Sequence, residues 1–144
     1  MKSTRSNISR IICFLLIFLW IYAAANKLMD FSMFRVQMHR QLLIPVLKNS
    51  LPYILPPAEI ITALLLSLES TKKTGLYSSL VMLGAFTFYV ALAMFKVLGK
   101  IPCSCGGILN KMGWEAHFIF NLFFLLLTAF GLYMVYRERR SENR

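Results

Sequence analysis

The stretch that decides the fold is Trp114–Tyr136, WEAHFIFNLFFLLLTAFGLYMVY, an apolar run whose only formal charge is Glu115. Its length is near the ~20 residues that cross a ~30 Å hydrocarbon layer as a helix. Lipid offers the backbone no hydrogen bonds, so a run of this kind closes its own as a helix. Working outward, Ile8–Ala25, Leu51–Leu68 and Leu76–Leu98 are apolar on the same scale. Four such helices pack as a bundle, so the sequence predicts an all-α integral membrane protein.

Composition supports that reading. The chain has 144 residues, 58% of them hydrophobic, with a mean hydropathy of +0.62. That is too apolar for a soluble core of this size, and the length suits one domain over residues 1–144. The formal net charge is +10, but the basic residues sit between apolar runs rather than on a soluble basic face. Anionic lipid headgroups therefore suit them and nucleic acid does not. Three cysteines do not make the dense framework of a small secreted domain. No linker, repeat or low-complexity tract divides the chain.

The connections give orientation and detail. Basic residues in the N-terminal tail, the Lys72-Lys73 turn and the Arg137–Arg140 tail fall on one side, which the positive-inside rule makes cytoplasmic. Lys27, Arg35, Arg40, Lys48, Lys100 and Lys111 fall on the other, so the bias is modest. Both termini are then expected inside a bacterial inner membrane, with the multi-pass chain exposing its 99–113 connection to the periplasm. The first segment also admits a second reading, a secretory signal ending at Ala23-Ala24-Ala25; either reading leaves the next loop on the same side. Between the first two spans, Phe31, Phe34, Met38, Leu42 and Leu43 recur at near-helical spacing, which predicts an interfacial helix or loop. Pro52, Pro56 and Pro57 predict that the second span is irregular early, with Pro57 opening or kinking its helix and Glu59 in or near the first turn. Trp20, Tyr22, Lys96 and Trp114 are expected as interfacial anchors.

The 99–113 connection contains Lys100-Ile-Pro-Cys-Ser-Cys-Gly-Gly107. Residues two apart in an extended or turning backbone have Cα atoms roughly 5 to 7 Å apart, within reach of a disulfide that closes a small, strained ring. Strained bonds of this kind exchange readily, whereas structural ones close longer loops. Gly106 and Gly107 allow close approach to Cys105, Pro102 fixes the chain before Cys103, and Lys100, Lys111 and the next helix N-terminus favour a thiolate. A static bond, or soft ligation of Cu(I) by Cys103 and Cys105 with Met112 or His117, is the competing account. The zinc pattern is missing. Cys13 is expected as a small buried apolar residue.

In the fourth span Trp114, His117, Asn121 and Thr128 fall along one helical face. Asn121 and Thr128 suit interhelical hydrogen bonds, and His117 is close enough to the cysteines in sequence to carry their protons. Glu59 either pairs with Lys27, Lys96 or His117 or serves as a proton acceptor.

In order, Ala24-Ala25-Asn26-Lys27-Leu28, Pro56-Pro57-Ala58-Glu59, Pro102-Cys103-Ser104-Cys105-Gly106-Gly107, and then Trp114, His117 and Asn121 resemble the MauE and DoxX-like redox-associated membrane proteins over nearly the whole chain. MauE is associated with maturation of methylamine dehydrogenase, a disulfide-rich enzyme, beside a thioredoxin-like partner. The resemblance implies periplasmic thiol–disulfide traffic through Cys103 and Cys105 with a thioredoxin-fold protein, and the lipid bilayer as the other partner. It does not imply methylamine as a substrate. The expected site is Cys103, Cys105, His117 and Glu59. No cofactor or metal is required by it, although a quinone stays open as electron acceptor. The competing classes are a copper-handling protein and a non-catalytic assembly subunit of a redox complex.

Overall fold

A computed structural model of the chain describes residues 2–40, 44–95 and 113–144, apart from the side chains of Lys2 and Trp114. Five helices and no strand occur among these residues: α1 (Lys2–Met29), α2 (Phe31–His39), α3 (Pro45–Ser67), α4 (Lys72–Met94) and α5 (Trp114–Glu142). All but α2 are long and apolar enough to cross a membrane. The expected four-helix membrane bundle is thus the observed one, with α2 as the short helix between the first two spans.

The helices run beyond the apolar segments that mark them. α1 extends through Lys2–Asn7 and Asn26–Met29, and α5 continues past Tyr136 to Glu142. Hydropathy marks where lipid begins, while backbone hydrogen bonding continues into the polar interface. α4 starts earlier than Leu76, at Lys72, and its last described turn closes when Phe95 N–H donates to Ala91 O at 3.0 Å. Residues 96–98 of the expected third span lie outside the described residues.

The prolines do not break α3. It begins at Pro45, after Ile44 in an extended conformation, where the missing amide would have had no helical partner. It then runs through Pro52, Pro56 and Pro57 without interruption. Their ring-fixed φ is compatible with the helix, and a membrane bundle accommodates the lost hydrogen bonds better than a non-helical backbone. Pro57 therefore neither opens the helix nor marks its first turn, and Glu59 sits deep inside α3 rather than at its dipole.

α1 packs along α3 and α5, and α4 also packs along α3 and α5, with few contacts along either diagonal. The four helices thus form a ring in which α3 and α5 face each other across the core. Both chain termini and the α3–α4 turn lie at one end. α2, the end of α4 and the start of α5 lie at the other, called here the distal end. α2 is capped by Asp30, whose carboxylate accepts from Met33 N–H at 3.2 Å. It turns Phe34 and Met38 inward, and Phe31 meets Tyr53 of α3 edge-on at 5.4 Å between centroids. Leu42 and Leu43, expected on the same face, lie outside the described residues.

The main apolar cluster, Ile12, Cys13, Leu16, Leu19, Trp20, Ala63, Leu66, Leu76, Leu83, Leu132 and Val135, fills the half of the bundle nearer the termini. Cys13 is buried there, as its reading as a small apolar residue requires. Two glycines let backbones approach: a Cβ on Gly75 would lie 2.8 Å from Leu66 N, and one on Gly131 would lie 2.9 Å from Ile12 Cγ2. At the termini end the buried Lys72 donates to Ser9 Oγ at 3.2 Å and to Glu69 at 3.3 Å. Lys73 lies over the ring of Tyr136, 4.2 Å from its centroid. Outward faces carry Phe14, Phe18, Ile61, Val81, Phe88 and Phe123, all largely exposed, the surface expected of a multi-pass protein in lipid.

Trp20 departs from its expected place at the interface. It is 2% exposed and its indole N–H donates to Ser79 Oγ at 2.8 Å, tying α1 to α4 across the core. Ser79→Ala leaves that donor without its partner, and the expected cost is about 1 kcal/mol, the scale of interhelical bonds in membrane proteins. Unfolding of the purified protein in mixed micelles measures it.

Candidate functional site: a buried polar cluster at the distal end

Above the apolar cluster the core becomes polar. Lys27, two residues before the end of α1, donates from Nζ to Glu59 Oε1 at 2.7 Å, and both side chains are almost wholly shielded. Its Nζ also donates to the carbonyl of Ala23 at 3.4 Å and lies 5.8 Å from the ring centroid of Phe34 on α2. α2 therefore covers the pair with an aromatic face, which attracts a cation. Of the three partners read from the sequence, Lys27 holds Glu59; Lys96 lies outside the described residues.

Two groups in this region keep unmade bonds. Glu59 Oε2 and Asn121 Nδ2 are buried and have no hydrogen-bond partner among the described residues. Their heights follow from helix geometry. Gly131 touches Ile12, and Asn121 lies about 15 Å distal to Gly131 at 1.5 Å per residue. Lys27 lies about 22 Å distal to Ile12, and its side chain leans back toward the start of α1 by several Å. The Lys27 ammonium, the Glu59 carboxylate and the Asn121 amide therefore sit at nearly one depth. His117 follows one turn nearer the distal end.

His117, Asn121 and Thr128 share a buried face of α5, as their spacing predicts; the Trp114 side chain, read onto the same face, is not described. The Thr128 hydroxyl donates to Phe124 O in its own helix at 2.7 Å. Asn121 makes no interhelical bond through Nδ2 among the described residues.

A second polar contact was not legible in the sequence. One turn from Glu59 toward the termini, Thr62 Oγ1 meets Ser78 Oγ of α4 at 2.8 Å and donates to Ala58 O at 2.8 Å. Isolated hydroxyls at positions 62 and 78 carry little signal in a sequence, since a helix satisfies them with its own carbonyls.

Cys103 and Cys105 lie outside the described residues, with Lys100, Pro102, Gly106, Gly107, Lys111 and Met112. Among the described residues no group of three or more His, Cys, Asp or Glu could hold a metal ion. The copper reading depends on Cys103, Cys105 and Met112, and so also falls outside them. Of the expected site residues, Glu59 and His117 are both buried in the distal half of the core.

No curated protein and no solved structure matches the chain. A family model does: the one described as methylamine utilisation protein MauE matches residues 5–134, from the first turns of α1 into α5, and the chain belongs to that family.

Proposed function

We propose that this protein exchanges thiols and disulfides through Cys103 and Cys105 with a thioredoxin-fold partner, as a membrane component of the maturation chemistry that its family serves. The observation that carries the reading is the position of the buried Lys27–Glu59 pair with His117 and Asn121. Lys27, Glu59, His117 and Asn121 are buried at the end where α4 stops and α5 starts, and the sequence between those helices holds the two cysteines. The distribution of basic residues supports both termini in the cytoplasm of a bacterial inner membrane and the cysteines on the periplasmic side.

In one direction, a thiolate of the pair attacks a sulfur of the partner's disulfide and forms a mixed disulfide. The second thiolate then attacks the first cysteine's sulfur and releases the partner as a dithiol. Two electrons pass to the partner, whose thiolates take up the two protons given up by the pair. The reverse reaction uses the same mixed disulfide. In this reading Cys105, beside Gly106 and Gly107 in the sequence, is the cysteine the partner engages, and His117, close to the pair in sequence, carries their protons.

Trapping tests the reading. Cys103→Ser and Cys105→Ser each remove one sulfur, and the variant that keeps the attacking cysteine is expected to accumulate a covalent adduct with a thioredoxin-like protein. Thiol alkylation in cells should show the wild-type pair cycling between oxidised and reduced forms. No adduct from either variant, with both wild-type thiols permanently reduced, would overturn it. A double Cys→Ser protein that still supports its pathway would favour a non-catalytic assembly role.

A further inference from the structure

The cluster contains an acceptor and a donor left over on helices that face each other. Glu59 Oε2 belongs to α3 and Asn121 Nδ2 to α5, both are buried, and neither has a partner among the described residues. Glu59 is wholly inaccessible and Asn121 is 6% exposed. With neighbouring helix axes about 8–10 Å apart, diagonal axes are about 11–14 Å apart. A carboxylate and an amide reaching inward from the two sides close most of that span, at nearly the same depth.

We infer that Glu59 Oε2 and Asn121 Nδ2 are the two ends of an internal water site. Water suits the site because one molecule can donate to the carboxylate oxygen and accept from the amide. Buried waters ordinarily join otherwise unsatisfied polar groups in this way. An apolar occupant would leave both groups unsatisfied. The groups around the carboxylate leave Oε2 as the oxygen for that water. Lys27 of α1 holds the other oxygen, Phe34 of α2 covers Lys27, and α4 presents Ser78 near Thr62, one turn below. This site stands independently of cysteine exchange.

The test is water-edited solid-state NMR on the full chain in proteoliposomes, with carbon-13 labels in Glu, Asn and Leu. Glu59→Gln assigns the Glu59 carboxyl carbon. In the wild-type protein, polarisation from water should reach Glu59 Cδ and Asn121 Cγ at least about five times faster than Leu16 and Leu83 of the apolar cluster, a contrast set by direct hydrogen bonding to water. Asn121→Leu, of similar volume but without the amide, should slow transfer to Glu59 toward the leucine rate. Wild-type build-up at Glu59 and Asn121 as slow as at those leucines would overturn the site, whatever the variant does. Fast transfer at Glu59 that is unchanged in Asn121→Leu would overturn the role given to Asn121.

Discussion

Lys27→Met should destabilise the bundle by about 3–5 kcal/mol, the usual cost of removing one partner from a buried ion pair. The reason is in the residue left behind. Glu59 is wholly inaccessible and its bond to Lys27 is the one it makes among the described residues, with Oε2 already unpartnered. Without the ammonium, an uncompensated carboxylate must ionise in a low-dielectric core or be neutralised there, and both are costly. Glu59→Leu should cost a comparable amount by stranding the ammonium. The double variant should lie closer to wild type than either single one, because an apolar pair of similar volume needs no solvation. Unfolding of all four proteins in mixed micelles closes the cycle. A double variant as unstable as the sum of the single ones would show that Lys27 and Glu59 do not act as a unit.

A second large effect is expected at Gly75. A Cβ there would lie 2.8 Å from Leu66 N and 3.0 Å from Leu65 C, backbone atoms that cannot rotate away, and 2.9 Å from Leu66 Cγ. Gly75→Ala must push α3 and α4 apart, at about 1–3 kcal/mol, and Gly75→Leu should cost more. Two other glycines serve as internal controls. At Gly131 the close atom is Ile12 Cγ2, at 2.9 Å, a methyl that a rotamer change moves, so Gly131→Ala should cost less than Gly75→Ala. Around Gly84 nothing lies within 4 Å. Gly84→Ala should be neutral or stabilising by up to about 1 kcal/mol through helix propensity. The order Gly75, Gly131, Gly84 is the prediction, and equal costs at the three positions would contradict it.

The four spans were legible because lipid forces long apolar runs into helices, and no tertiary information is needed to see that. The inward face of α5 was legible too, since His117, Asn121 and Thr128 repeat at helical spacing. The prolines of α3 were misleading. In water Pro52, Pro56 and Pro57 would mark a break, but in lipid the alternatives to a helix are worse. Trp20 was misread for a related reason: tryptophan near a span end often anchors at the interface, and only packing against α4 shows that its N–H reaches Ser79. The partner of Glu59 could be narrowed to three basic or imidazole side chains, not to one. The choice of Lys27 depends on α1 and α3 being neighbours, which periodicity within either helix does not encode. Asn121 was recognised as inward-facing, but an amide left without a partner is a property of the assembled core.

The Lys27–Glu59 bond also bears on how the chain enters the bilayer. α3 is the least apolar of the four spans, and it carries three internal prolines and a carboxylate. An acidic residue at a helix centre adds about 2.5–3.5 kcal/mol to the cost of insertion. The ammonium that offsets this belongs to α1, which emerges from the ribosome earlier. Entry of α3 into lipid beside α1 therefore costs less than entry of α3 alone, because its carboxylate meets a counter-ion there.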